Sequence, residues 1–206
     1  MAHAIRVHQH GGSEALKYET VEVGAPGSGQ VKLKQHAIGV NFIDVYQRTG
    51  LYPQASMPFT PGNEGAGEVT AVGEGVTDLK VGDRVAYAVA IGAYADERLA
   101  PAAQLVKLPD SIPYETGAAM MLQGMTVQYL LRRTYKIGPD TTLLMHAAAG
   151  GIGLIACQWA KHLGATLIGT ASSDEKCALA KSAGATHVIN YKSENFVERV
   201  KEITGG

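Results

Sequence analysis

The sequence predicts a β-rich N-terminal domain followed by an α/β domain built on part of a doubly wound parallel sheet. Three observations lead there. Between residues 4 and 88, short runs of alternating polar and apolar residues are separated by glycine- and proline-rich breaks. After residue 141, apolar strand and helix patterns take turns. The run Met145 to Ala160 reads as a buried strand that ends in a glycine turn and opens directly into a helix.

In the first part, residues 4–9 and 31–36 alternate as strands do, and Gly11-Gly12, residues 24–29 and residues 50–53 break the chain around them. Residues 65–72 and 83–88 supply two further strands. The character changes after Pro113. Residues 114–133 carry apolar side chains at helical spacing, with Gly124 expected to break them into two helices. From Thr141 the order is strand 142–147, helix 151–163, strand 166–170, helix 174–183, strand 187–191 and helix 193–203. A βαβαβα series implies parallel strands with crossover helices. The expected domains are residues 1–120 and 121–206, with only one half of a doubly wound sheet present.

Bulk properties exclude several classes of function. Eighteen basic and nineteen acidic residues give a net charge of −1, and no block of like charge offers a footprint for nucleic acid or an anionic membrane. Residues 1–10 lack the apolar core of a signal peptide and no apolar run reaches bilayer length, so a cytoplasmic protein is expected. Cys157 and Cys177 are expected to be unpaired thiols. Seven histidines and two cysteines show no zinc-ligand spacing, and no G-x-S-x-G elbow appears, so neither a metal site nor a serine hydrolase is expected. His146, at the end of a strand, reads most simply as a packed residue, and His36, His162 and His187 read likewise.

The glycine turn carries most of the chemistry. Gly150 and Gly153 stand where a G-x-G-x-x-G pattern has its second and third glycines, and Ala148 replaces the first. A strand before, a helix after and a second strand at 166–170 supply the context that a dinucleotide pyrophosphate needs, because glycines allow close backbone approach and helix-start N–H groups bind anions. A plain tight turn is the alternative. The second strand ends at Ser172-Ser173 with no acid for a ribose hydroxyl. Asp174 fits a capping box, Ser172 to Glu175, better than a ribose contact. Lys176 opposes the helix macrodipole unless an anion lies nearby, and a 2′-phosphate would be that anion. Ser172, Ser173 and Lys176 therefore favour NADP over NAD, against the alternative of a lysine that points into solvent.

Four segments, residues 39–53, residues 61–67 (PGNEGAG), residues 81–85 (VGDRV) and the glycine turn, together resemble the zinc-independent, zeta-crystallin-like quinone oxidoreductases of the medium-chain dehydrogenase/reductase superfamily. The resemblance covers the whole chain. It implies a GroES-like partial barrel followed by a truncated Rossmann domain, NADPH as cofactor, and an active site in the cleft between the domains. Zinc-dependent members carry a cysteine where this chain has Asn41 and a histidine where it has Asn63, so hydride delivery without metal to an electrophilic acceptor, a quinone, is implied. By the same resemblance Asn41, Asp44, Tyr46 and Tyr52 are catalytic or line the substrate. Asn41, Phe42, Ile43, Asp44, Val45, Thr126 and Tyr129 lie along the nicotinamide half of the cofactor. Gly150, Gly151, Ile152 and Gly153 line the pyrophosphate, Ser172, Ser173 and Lys176 meet the 2′-phosphate, and Tyr191 packs near the adenine ribose. Asp44 could instead only cap or orient its neighbours, and Tyr46 could be a wall aromatic. Family members are longer, so the chain reads as an N-terminal portion, and the whole protein is expected to be a homodimer. An enone or alkenal reductase using the same cofactor is the close rival, and a non-catalytic NADPH-binding protein, crystallin-like or RNA-binding, the distant one.

Overall fold

In the computed structural model, which describes residues 1–88 and 90–206, the strand-rich part of the sequence forms two antiparallel sheets. The chain divides into two units, Met1–Leu122 and Gln123–Gly206. In the first, β1 (Ala2–Val7) pairs with β2 (Leu16–Val21). The larger sheet takes β3 (Gln30–Gly39), β4 (Glu64–Val72), β5 (Arg84–Ala88), β6 (Glu97–Pro101) and β7 (Val106–Lys107) in the order β6-β3-β4-β5-β7. Alternation along β3 buries Val31 and Leu33 against Val69, Val85 and Tyr87, and all five are 0% exposed. Ala66, Ala86, Leu108 and Ala118 form a second, smaller cluster. Register shifts at Lys32/Leu33 and Gln35/Ala37 bend β3 as bulges do.

A helix, α1 (Phe42–Thr49), separates β3 from β4. The sequence pattern predicts no helix there, and the reason is physical. The buried residues of α1 are polar, Asp44 and Gln47, while Phe42 is 73% exposed, so apolar periodicity points the wrong way. β2, β6 and β7 are also missing from that pattern. No residue of β2 or β7 is fully buried, and β6 buries only Ala100, which leaves little hydrophobic alternation to detect.

α2 (Tyr114–Tyr129) runs through Gly124 without a break. Glycine inside a helix costs about 1 kcal/mol relative to alanine, less than is gained by burying Ala118 on one side of it and Val127 on the other. A π turn, residues 130–134, closes the helix. The second unit then follows the expected alternation: β8 (Thr142–Met145), α3 (Gly151–His162), β9 (Thr166–Ala171), α4 (Asp174–Ser182), β10 (His187–Asn190) and α5 (Phe196–Thr204). The strands are parallel in the order β10-β9-β8. Leu167 of β9 packs with Ala148, Ala156, Cys157 and Ala160 and with Val127 and Leu131. β8 stops before residue 147 because Ala147 adopts a left-handed conformation, φ 52°. α5 starts later than the pattern suggests because Asn195 caps it, its side chain accepting from Val197 N–H and Glu198 N–H.

Candidate functional site

The turn between β8 and α3 is built for close approach. A Cβ at Gly153 would lie 2.5 Å from the carbonyl oxygens of both Ala147 and Ala148, so only glycine lets the first turn of α3 pack on the end of β8. Gly150 is the N-cap residue, and the N–H groups of Gly151, Ile152 and Gly153 open the helix. The first N–H groups of a helix have no intrahelical acceptors.

A cavity of about 580 Å³ lies over this turn. Ala147, Ala149 and Gly150 form one wall, and Thr170, Ala171, Ser172, Lys176 and Tyr191 another. Ser173 caps α4, accepting from Lys176 N–H at 3.3 Å, and its hydroxyl donates to Glu175 at 3.1 Å. The cap is thus one residue later than the Ser172 to Glu175 box read from sequence. Asp174 accepts from Asn190 Nδ2 at 2.7 Å, which ties the start of α4 to the end of β10. Lys176 donates from Nζ to Ser172 Oγ at 3.4 Å, and among the described residues no carboxylate lies within ion-pair distance of it. Ser172, Lys176 and Tyr191 therefore share one wall, with an unneutralised cation beside it. Thr126 and Tyr129 lie on the last turns of α2, and Tyr129 is 47% exposed.

His146 is not the packed residue expected of it. It is exposed, lines the cavity, sits with Nδ1 3.0 Å from Thr170 Oγ1, and meets the Phe196 ring edge-on. The strand expected over 142–147 ends two residues early, so this side chain belongs to the turn and not to the packed strand. His36, His162 and His187 are exposed as well, and His36 stacks on Tyr114 at 4.3 Å.

In the first unit the sequence-predicted residues gather around α1. Asn41 caps the helix, and its N–H donates to Asp44 Oδ2 at 2.9 Å in a reciprocal capping box. Asp44 also accepts from Asn63 Nδ2 at 2.7 Å and from the Tyr94 hydroxyl at 2.9 Å. Asn63 Nδ2 further donates to Gln47 Oε1 at 2.8 Å, and Gln47 Nε2 donates back to Asn63 Oδ1 at 3.3 Å. Asn41 Nδ2 donates to Glu64 Oε2 at 2.8 Å. Asn41, Asp44, Gln47, Asn63 and Glu64 are all 9% exposed or less, a buried polar layer in which each side chain has a partner. Burial, and the bond to Asp44, push the Tyr94 phenol well above its ordinary range.

Above this layer the aromatic residues form a chain. Tyr46 meets Phe42 at 5.4 Å and Tyr52 at 5.3 Å, both edge-to-face, and Tyr52 N–H donates to the Tyr46 carbonyl at 3.0 Å. Tyr52 is 51% exposed. Ile43 and Val45 are half-buried on α1. Sequence reasoning missed the partners of this site: Glu64 and Gln47, both inside recognised segments, and Tyr94, for which the sequence offers no signal because it is fifty residues from Asp44.

An antiparallel β unit followed by a βαβαβα unit with a glycine turn is the plan of the dehydrogenases and reductases of the alcohol dehydrogenase class. Residues 27–110 match the alcohol dehydrogenase GroES-like domain and residues 151–206 the zinc-binding dehydrogenase family. The chain is 52% identical to the quinone oxidoreductase of Pseudomonas aeruginosa, covering 100% of this chain and 64% of that protein. It is 48% identical to the 2-haloacrylate reductase of a Burkholderia species, covering 100% of this chain and 64% of that protein. The crystal structure of Escherichia coli quinone oxidoreductase complexed with NADPH superposes with a TM-score of 0.96 at 51% identity, covering 99% of this chain and 63% of that one. Over its whole length the chain is similar to these reductases, and it spans a little under two thirds of their length.

Proposed function

We propose that this chain forms part of an NADPH-dependent quinone reductase that works without a metal ion. The observation that carries the reading is the cavity over the glycine turn, whose wall brings Ser172, Lys176 and Tyr191 together. The residues fit the cofactor. α3 directs its opening N–H groups toward a pyrophosphate, and the Gly153 contact keeps the backbone close. The Lys176 ammonium, without a carboxylate partner among the described residues, suits a 2′-phosphate, as does the hydroxyl of Ser172, whereas the Ser173 hydroxyl is taken up by Lys176 N–H and Glu175 in the cap of α4. Tyr191 offers a half-exposed ring to the adenosine. A bound NADPH supplies a hydride.

A quinone that takes up a hydride also needs a proton. Tyr46 and Tyr52 are the hydroxyl groups suited to donate or relay it, and their neighbouring rings suit a planar acceptor. Asn41 contributes an amide N–H for an oxygen of the ligand, and Thr126 and Tyr129 assist at the nicotinamide. Zinc does not fit the residues present. The two positions at which zinc-dependent members carry cysteine and histidine are Asn41 and Asn63, and the Asn63 amide is consumed by Asp44 and Gln47. Among the described residues no group of three or more His, Cys, Asp or Glu side chains converges. We take the cytoplasm as the working location and a homodimer as the working assembly; no helix among the described residues is long and apolar enough to cross a membrane.

The test is cofactor affinity. Lys176→Ala should weaken NADPH by roughly tenfold or more while leaving NADH almost unchanged, read by fluorescence titration; equal effects on both cofactors would refute the phosphate pocket. A second reading, reduction of an activated alkene, is favoured by the likeness to the 2-haloacrylate reductase. Steady-state rates on a quinone panel and an enone panel separate the two, and faster turnover of enones selects the second.

A further inference from the structure

We propose that Glu64 is a positioning residue that sets the polarity of the Asn41 amide and so holds one N–H of Asn41 ready for ligand. The proposal rests on Asn41 facing a ligand, as in the function proposed above. Glu64 lies at the start of β4 and is 1% exposed. Its two carboxyl oxygens are divided between two donors: Oε2 accepts from Asn41 Nδ2 at 2.8 Å and Oε1 from the backbone N–H of Leu122 at 2.8 Å. The bond to Leu122 prevents the carboxyl from swinging away from Asn41. The fold also leaves room for it, because a Cβ on Gly39 would lie 2.4 Å from Glu64 Oε2.

An amide side chain can turn over and exchange its oxygen with its nitrogen. Here Glu64 opposes that exchange. Turned over, Asn41 would set its oxygen against the Glu64 oxygen, two acceptors with no hydrogen between them. In the observed orientation one hydrogen of Nδ2 goes to Glu64. The second is the polar hydrogen that the side chain retains for a ligand oxygen. Glu64 therefore acts through Asn41 and touches no reacting atom itself.

The experiment is a double-mutant cycle on the intact protein with Glu64→Gln, Asn41→Ala and the pair. The introduced glutamine preserves shape and can still accept from Leu122 N–H, but then opposes its own NH₂ to that of Asn41. The expected result is a roughly tenfold fall in kcat/KM for the acceptor from each single change, with the double variant no worse than Asn41→Ala. Independent, multiplying losses, or an unaffected Glu64→Gln, would overturn the proposal. Should Glu64→Gln not fold, Glu64→Asp withdraws the carboxyl by one methylene and enters the same cycle. The side-chain amide signal of Asn41, assigned by its loss in Asn41→Ala, reads the same contact by ¹H–¹⁵N NMR without any turnover. It should shift on Glu64→Gln, and an unmoved signal would overturn the proposal. If the signal moves but no quinone is reduced, the reading of Glu64 stands and the reaction assigned above fails.

Discussion

Replacing Asp44 by alanine removes the acceptor on which three donors converge: the Asn41 N–H at 2.9 Å, Asn63 Nδ2 at 2.7 Å and the Tyr94 hydroxyl at 2.9 Å. Asp44 is 5% exposed, so water cannot take its place without opening the layer. Tyr94 is half-buried and can turn toward solvent, and Asn63 keeps its bond to Gln47. The Asn41 N–H and one Asn63 N–H are left without acceptors. At about 1–3 kcal/mol for each buried donor so stranded, Asp44→Ala should cost about 2–4 kcal/mol after partial relaxation. That is a large share of the stability of an ordinary domain, typically about 5–15 kcal/mol. Urea unfolding followed by far-UV circular dichroism measures it, with unchanged m-values as the check that the transition is comparable. A loss below about 1 kcal/mol would show that the layer is hydrated or loosely held, and that the capping role assigned to Asp44 is mistaken.

Gly153→Ala forces a Cβ against two backbone oxygens at 2.5 Å, so it should cost about 1–3 kcal/mol and abolish NADPH binding, read by thermal shift and fluorescence titration. Tyr94 keeps its proton in the folded state at pH values where an unfolded tyrosine, with a pKa of about 10, loses it. The folded state then binds more protons than the unfolded one, so stability should fall as pH rises above about 10, and Tyr94→Phe should flatten that slope in alkaline unfolding curves. Lys80 and Lys107 hold the Asp83 carboxyl well below the usual carboxylate range. Its contribution is complete above about pH 4 and is lost as pH falls, so Asp83→Asn should reduce the acid dependence of unfolding between about pH 4 and pH 2.

The second unit is the more legible in sequence. Its strands are short apolar runs, of which β9 is buried almost throughout, its helices have capping and glycine signals, and each element neighbours the next in space, so local pattern and topology agree. Boundaries shift where a single residue decides them: Ala147 takes a left-handed conformation at the turn that Gly153 packs against, and Asn195 fixes the start of α5. Gly124 shows the opposite case, a local breaker overridden because the helix on both sides of it is packed. In the first unit, α1 escapes the sequence pattern because its inward face carries Asp44 and Gln47 while Phe42 is exposed, so the apolar period points away from the buried side.

The two-part plan, the parallel nucleotide-type sheet, the glycine turn and the amides at positions 41 and 63 can be read before the chain folds. These depend on residue identity and short spacing, which are properties of the chain before it folds. What those amides do depends on the partners that folding brings to them. Asn63 is consumed between Asp44 and Gln47, Asn41 is held by Glu64, and Tyr94 reaches Asp44 from fifty residues away. A buried polar group must find its partner wherever the fold brings one, and that partner is set by packing across strands rather than by distance along the chain.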